Sequence, residues 1–397
     1  MQSSRHIIEK TQKYGAANYE PKEVVIERAE GVMVYSPEGK EYFDMLSAYS
    51  ALNFGHRHPE IIAAAKEQLD KVTLTSRAFH NAVLCEFYER LSKLTGKDLI
   101  LPMNTGAEAV ETALKTARRW GEDVKGVDPH QSEIIVCENN FHGRTITIIT
   151  LSTDKSARRG FGPFTPGFVK IKYGDPDALE KAVTPNTVAF LVEPIQGEAG
   201  VIVPPDAYLK KAREICTANN ILMIADEVQT GFARTGRMFA CDREDVIPDI
   251  YVLGKALGGG VMPVSAVAAN KSILGVFEPG SHGSTFGGNP LACAVAVKAM
   301  EILVRDDYPR QAEEKGNYFI EKLRSIKNEE ILEIRGRGLF IGVEFKIPAA
   351  GYVKKLIANG VLAKETHENT IRFAPTVIIT YEQLDKAFEK IKTAFEG

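Results

Sequence analysis

The chain has 397 residues, of which 44% are hydrophobic and 25% charged, and a formal net charge of -3. That size and balance suit a soluble globular protein with room for two domains and a sizeable core, and exclude a binding peptide or a disordered adaptor. A sequence pI near 6.3 offers no basic surface to neutralise phosphodiesters, so nucleic acid is not an expected partner.

The N-terminal stretch Met1 to Lys10 lacks the apolar run of a signal peptide, and no later run reaches membrane-spanning length. A cytoplasmic location with no membrane contact is the expectation. From about Glu23 to Leu46 short β-like runs alternate with turn signals at Glu30-Gly31 and Pro37-Glu38-Gly39, which predicts a small meander. From about Pro59 to Lys271 strands alternate with helices. The predicted strands are Leu99 to Met103, Glu133 to Cys137, Val188 to Val192, Ile221 to Ala225, Ile250 to Leu253 and Val264 to Ala268. The predicted helices are Pro59 to Lys71, Ala82 to Leu94, Glu108 to Trp120, Asp206 to Asn219 and Pro290 to Val304. Such alternation implies right-handed crossovers and an α/β fold with a mostly parallel sheet covered on both faces. Beyond Met300 come a charged helix from Gln311 to Ile326, strands at Ile331 to Ile334 and Leu339 to Phe345, and an amphipathic helix from Tyr381. The expected division is a large domain over 51–300 and a smaller α+β domain built from both ends, 1–50 and 301–397.

The five cysteines, Cys85, Cys137, Cys216, Cys241 and Cys293, are odd in number, scattered and never spaced as C-x-x-C. They argue against a disulfide framework and a zinc cage, and are expected to pack as small apolar groups. His56 and His58 flank Arg57 in a loop or strand, where neighbouring side chains point apart, and no H-E-x-x-H occurs. No metal is expected. Neither a P-loop nor a Gly-x-Ser-x-Gly elbow is present, and Gly336 to Gly342 has its last glycine one residue late for a dinucleotide site.

Chemistry gathers elsewhere. Asp226 and Lys255 each follow an apolar run rich in β-branched residues, and so should emerge where open α/β sheets place their ligands. A lysine after a strand is by default a solvated loop residue, but Ala256-Leu257 and three glycines make a poor solvated loop. An unpartnered Asp226 at a buried strand end would be costly. The pair fits pyridoxal phosphate, which needs an amine to hold its aldehyde and an anion to keep its ring nitrogen protonated. Thr105-Gly106-Ala107-Glu108 opens a helix, and reads both as a plain cap and as free N–H groups for a phosphate. In Phe141-His142-Gly143-Arg144 the aromatic can stack on a ring and Arg144 can grip a carboxylate, although a core Phe and a surface Arg are the defaults.

With Thr105 to Ala109, Asp226 to Gly236, Lys255 and Gly283 to Pro290 in this order, the chain resembles the class III pyridoxal-phosphate-dependent aminotransferases over nearly its whole length. Asn18 to Pro21, Phe43 to Asn53, Leu74 to Phe79, Glu193 to Gly200 and Ile371 to Pro375 narrow the resemblance to the ornithine-acting branch. The resemblance implies fold type I and a reaction in which L-ornithine gives its δ-amino group to 2-oxoglutarate, forming glutamate. It implies that Lys255 holds the cofactor, Asp226 pairs with the ring nitrogen, Gln229 bonds the phenolic oxygen and Phe141, beside His142, stacks on the ring. Thr105, Gly106 and Ala107 would cradle the phosphate, joined by Ser284 and Thr285 of a neighbouring subunit, so a homodimer or larger assembly with shared sites is implied. Tyr19, Tyr49, Arg144, Glu198 and Arg372 would form the substrate pocket, with Glu198 covering Arg372 while ornithine binds. The rivals are an acetylornithine or 4-aminobutyrate aminotransferase, against which Tyr19 and Tyr49 argue, and a non-catalytic binding protein of the same fold.

Overall fold

Residues 3–397 are described by a computed structural model; Met1 and Gln2, at the start of the expected N-terminal segment, fall outside the described residues. Arg28–Glu30 (β1), Met33–Tyr35 (β2) and Glu41–Asp44 (β3) form the antiparallel meander. The central sheet contains Leu99–Met103 (β4), Glu133–Cys137 (β5), Phe168–Ile171 (β6), Thr187–Val192 (β7), Leu222–Asp226 (β8), Ile250–Leu253 (β9) and Ser265–Ala269 (β10). Its order is β4-β10-β9-β8-β7-β5-β6. β10 runs antiparallel to both neighbours, and the other six share one direction. Every residue of β7, β8, β9 and β10 is buried, as a sheet with helices on both faces demands.

Alternate residues of one strand feed opposite cores. Tyr251 and Leu253 of β9 pack with Ile61, Phe87 and Ala296 of helices Pro59–Leu69, Ala82–Thr95 and Pro290–Arg305. Ile250 and Val252 pack with Ala113 and Leu114 of helix Gly106–Trp120 on the other face. Because six strands run together, their carboxyl ends deliver residues 104–107, 138–144, 193–198, 226–229 and 254–255 to one rim.

The third sheet holds Ile331–Arg337 (β11), Phe340–Phe345 (β12), Lys364–Thr366 (β14) and Thr370–Phe373 (β15), in the order β11-β12-β15-β14. Between them Val361–Leu362 (β13) leaves to pair in parallel with β3, Val361 opposite Phe43 and Leu362 opposite Asp44. The two ends of the chain thus share a sheet.

Several boundaries differ from expectation for local reasons. Helix Tyr208–Ala218 starts two residues late because Ala207 is left-handed at φ +63°. The charged helix starts early, at Tyr308, where Pro309 in the first turn is well placed for initiation. Asp226 is the last residue of its strand, and β10 and β12 each begin one residue after the predicted start. Strands β6 and β13 to β15, and helices Ser4–Tyr14, Ile146–Leu151 and Ala350–Ala358, were not predicted. The β14 to β15 hairpin turns over His367 to Asn369, with His367 and Glu368 at positive φ and neither a glycine, so it lacks the Asn-Gly or Asp-Gly pair that marks a tight hairpin. Four cysteines are buried as expected, but Cys85 is exposed on its helix. Among the described residues no helix is long and apolar enough to cross a membrane, and no three His, Cys, Asp or Glu are grouped to hold a metal.

One buried cation ties the central and terminal segments together. Arg234 is fully buried and donates to Asn53 Oδ1, Leu339 O and Pro375 O at 2.5 to 3.1 Å. Burial lowers its pKa to about 9. Arg234→Met should strand three acceptors and lower unfolding stability by about 2–4 kcal/mol in a urea titration; a midpoint unchanged from the parent would mean the staple contributes nothing.

Candidate active site

Val228 sits at the centre of the rim. A Cβ added to Gly106 would lie 3.1 Å from Val228 Cγ1, and one added to Gly254 would lie 3.3 Å from the same atom. The helix start, the residue before Lys255 and the turn after Asp226 therefore converge on one side chain, a close approach that two glycines permit. Asp226 lies beside Val252 in the parallel register, three residues before Lys255.

Thr105 caps helix Gly106–Trp120: its hydroxyl accepts Glu108 N at 3.2 Å, and Glu108 reaches back to Thr105 N at 2.7 Å. The capping box leaves the first-turn amides of Gly106 and Ala107 without intrahelical acceptors, so both readings of this string hold together. Ser265 Oγ fixes the cap by donating to Thr105 O at 2.7 Å. Ser284 Oγ accepts from Asn104 Nδ2 at 2.8 Å, which brings it next to the helix start of its own chain, while Thr285 is exposed.

Asp226 is buried and divides its oxygens. Oδ1 accepts Val228 N at 3.1 Å, and Oδ2 meets His142 Nδ1 at 2.6 Å. Burial disfavours the His142 cation, but the hydrogen bond and charge of Asp226 prevail and hold its pKa above the ordinary value. His142 Nε2 is buried with no partner among the described residues. Lys255 is left-handed at φ +44°, a strained conformation for lysine that its surroundings must hold in place. Enclosure pushes its pKa down to about 8, against the attraction of Glu198 and Asp226.

A cavity of about 870 Å³ opens beside this cluster, with Tyr49, Phe141, His142, Arg144, Glu198 and Arg372 in its wall. Arg372 is fully buried, and its NH1 donates to Glu198 Oε1 at 2.6 Å and to Gln229 Oε1 at 3.3 Å. Gln229 Nε2 donates to the same Glu198 oxygen at 3.1 Å. Burial raises the Glu198 pKa, but Arg372 outweighs it and the carboxyl stays below the usual range. A Cβ at Gly197 would sit 1.5 Å from Gln229 Oε1, so only glycine admits this latch. The Tyr49 ring lies 5.2 Å from the Arg372 guanidinium, and its hydroxyl accepts from Lys364 Nζ at 3.1 Å. Four successive residues, Ser47 to Ser50, are left-handed there, at a cost of about 1–2 kcal/mol each.

The predicted residues do not all gather. Tyr19 is 66% exposed in the segment before β1 and is absent from the cavity wall. Phe141 and Arg144 stand exposed at the mouth, 5.7 Å apart. Two neighbours were not predicted. Glu193 accepts Phe141 N at 3.0 Å, and burial raises its pKa to about 7; it directly follows the apolar strand β7, a signal present in the sequence. Lys364 lies on the hairpin that lacks a glycine turn, and was not singled out from the sequence.

The residues fit pyridoxal phosphate on these observations. Free first-turn amides suit a phosphate, the fixed Asp226 carboxylate suits a ring nitrogen, and an amine with a lowered pKa follows Gly254, which closes on the same Val228 as Gly106.

Comparison with known proteins agrees. The class III aminotransferase family model matches residues 14–395. Among curated relatives, the ornithine aminotransferase of Brevibacillus brevis is 63% identical over 99% of this chain and 98% of its own, and that of Bacillus subtilis 58% over 99% and 98%. Among solved structures, the ornithine aminotransferase of Toxoplasma gondii, with pyridoxal phosphate partly occupying its active site, has a TM-score of 0.98 and 46% identity over 99% of this chain and 94% of its own. The acetylornithine aminotransferase of Elizabethkingia anophelis has a TM-score of 0.91 and 47% identity over 100% and 99%.

The lowered pKa of Lys255 has a measurable sign. Enclosure penalises the ammonium, so a neutral amine exists at lower pH than for a free lysine. In cofactor-free protein, aldehyde capture at Lys255, trapped by reduction and read from the labelled peptide, should rise with pH and level off just above about 8. A rate still climbing at pH ~10, the range of an unperturbed lysine, would put the amine in open solvent.

Proposed function

The chain belongs to the class III aminotransferases, and from that premise we propose how its residues transfer an amino group. It moves the δ-amino group of L-ornithine to 2-oxoglutarate in two half-reactions at one site, giving glutamate and glutamate 5-semialdehyde, which cyclises to pyrroline-5-carboxylate. Pyridoxal phosphate, when bound, supplies an aldehyde for the substrate amine and an electron-drawing ring.

Asp226, oriented by His142 and by Val228 N, would face the ring nitrogen and hold its proton. Gly106 and Ala107 would give amides to the phosphate, with Thr105 holding the helix start in shape; Phe141 would cover the ring and Gln229 would bond its phenolic oxygen. Lys255 would hold the cofactor at rest; once the substrate amine has taken its place, the free Nζ of Lys255 would move the proton from the substrate carbon that bears the departing amine. Arg144 binds a distal carboxylate, and Tyr49 and Tyr19 meet the α-end of ornithine. Tyr19 has to move inward, or a second copy has to cover it, for this contact.

The observation that carries the ornithine reading is the Glu198–Arg372 pair at 2.6 Å. A bare guanidinium would draw an α-carboxylate toward the reacting end, which suits glutamate and misdirects ornithine. Glu198 covers Arg372 for the diamine and releases it for the keto acid.

A second copy completes the site in this reading, through Ser284 and Thr285. Supporting it, Phe286 and Phe79 are 54% and 74% exposed on segments joined by Asn81 Nδ2 to Gly288 O, an apolar surface suited to association. The five free thiols suit a reducing cytoplasm.

Glu198→Ala should lower the rate ratio for ornithine over glutamate by roughly ten- to a hundredfold, the loss of one charged hydrogen bond. Stopped-flow absorbance of the separate half-reactions reads it; equal slowing of both would make Glu198 merely structural. Lys255→Ala subunits should be inactive alone, as should Ser284→Ala/Thr285→Ala subunits if the phosphate contact is essential. Mixed dimers put both lesions in one site and leave the other intact, so activity should return on mixing. Heterodimers that form and stay inactive would refute the shared site.

A further inference from the structure

The turn that carries Tyr49 is left-handed through four non-glycine residues, Ser47, Ala48, Tyr49 and Ser50, at φ +48°, +47°, +59° and +71°. L side chains avoid this conformation, and it persists only where its surroundings over-determine it. The turn does little to hold itself. Ala51 N and Leu52 N reach Ser47 O at 2.9 and 3.2 Å, Ser50 N reaches Leu46 O only at 3.4 Å, and the Ser50 hydroxyl is buried without a partner.

One carboxylate grips its entrance. Asp44 Oδ1 accepts Leu46 N at 3.0 Å and Ser47 N at 2.8 Å, and Oδ2 meets His56 Nε2 at 2.8 Å. Asp44 is itself fixed as the last residue of β3, opposite Leu362 of β13, with its N–H donating to Val32 O at 2.8 Å. The exit is fixed at Asn53 by Arg234 and by Thr376, which donates to Asn53 O at 2.8 Å. Between these anchors only Tyr49 enters the cavity wall, with its ring against Arg372 and its hydroxyl on Lys364.

We infer that Asp44, oriented by His56, is a positioning residue for the diamine: it acts through the left-handed turn to hold the Tyr49 phenol in the cavity, and so sets affinity for ornithine. Without the carboxylate the two amides lose their acceptor, and the turn relaxes toward the right-handed region, which swings Tyr49 off the wall. Arg372 keeps its bonds to Glu198 and Gln229, so binding of 2-oxoglutarate is little affected. This rests on the assignment of Tyr49 to the α-end of ornithine.

The test compares Asp44→Ala, Asp44→Asn, Tyr49→Ala and Asp44→Ala/Ala48→Gly as holoenzymes, with KM and kcat measured for each substrate. Asp44→Ala should raise the ornithine KM about tenfold, the worth of one oriented hydrogen bond, and leave the 2-oxoglutarate KM within about twofold. Asp44→Asn keeps an oxygen for the amides and should fall between. Ala48 is exposed, and glycine accepts positive φ without strain, so Ala48→Gly should recover at least about half of the lost ornithine affinity. A merely structural role for Asp44 would raise both KM values together and gain nothing from that glycine, and either result overturns the inference. Tyr49→Ala separates the two ideas. If it raises the ornithine KM and Asp44→Ala does not, the positioning role fails alone; if Tyr49→Ala changes nothing, the assignment of Tyr49 fails and the inference with it. Should Asp44→Ala not fold, Asp44→Asn decides, since an ornithine KM equal to the parent's would show that the bond to His56 is not needed.

Discussion

Charge buried at the rim of a parallel sheet must find opposite charge or a ligand, and this constraint organises the site. Six strands running one way bring Asp226, Glu193, Glu198 and Lys255 to one edge, where water cannot solvate them fully. The protein satisfies Asp226 with His142 and Glu198 with Arg372, and leaves Lys255 with a depressed pKa. Each arrangement favours one protonation state, which group transfer at neutral pH requires.

The two pairs differ in permanence. Asp226 is also held by its own strand and by Val228 N, so its geometry does not depend on substrate. Glu198 is 31% exposed on its side chain and faces the cavity, which the proposed exchange of partners requires, whereas Arg372 is held in β15. A fixed carboxylate suits a cofactor that stays through both half-reactions; a movable one suits alternation between two substrates of different shape. Breaking a buried ion pair costs several kcal/mol, so exchange of Glu198 needs an incoming carboxylate to take its place.

The small sheets act on the site through this same economy of anchoring. β13 pairs with β3 and so fixes Asp44 at the entrance of the Tyr49 turn, while the β14 to β15 hairpin delivers Arg372 and Lys364. Thr366 Oγ1 donates to Glu198 O at 2.6 Å, which ties that hairpin to the rim loop. The residues proposed to recognise substrate therefore lie where the terminal segments of the chain meet the central sheet.

The elements and polar strand ends proposed to bind the cofactor were legible in the sequence because they are local. Asp226 and Lys255 announce themselves as polar residues ending apolar strands, the Thr105 string is a helix cap wherever it occurs, and strands β4, β5 and β9 are bounded as their hydrophobic runs predict. Glu193 carried the same signal and was readable on the same grounds. Tertiary structure alone decided the rest. Left-handed turns at Ser47 to Ser50 and at His367-Glu368 use residues with no intrinsic preference for them, so only contacts distant in sequence hold them. His142 meets Asp226 across 84 residues, Lys364 meets Tyr49 across 315, and Arg234 joins Asn53 across 181. Short-range patterns determine which elements form and where their polar ends lie; which of those ends meet is set by packing over the whole chain.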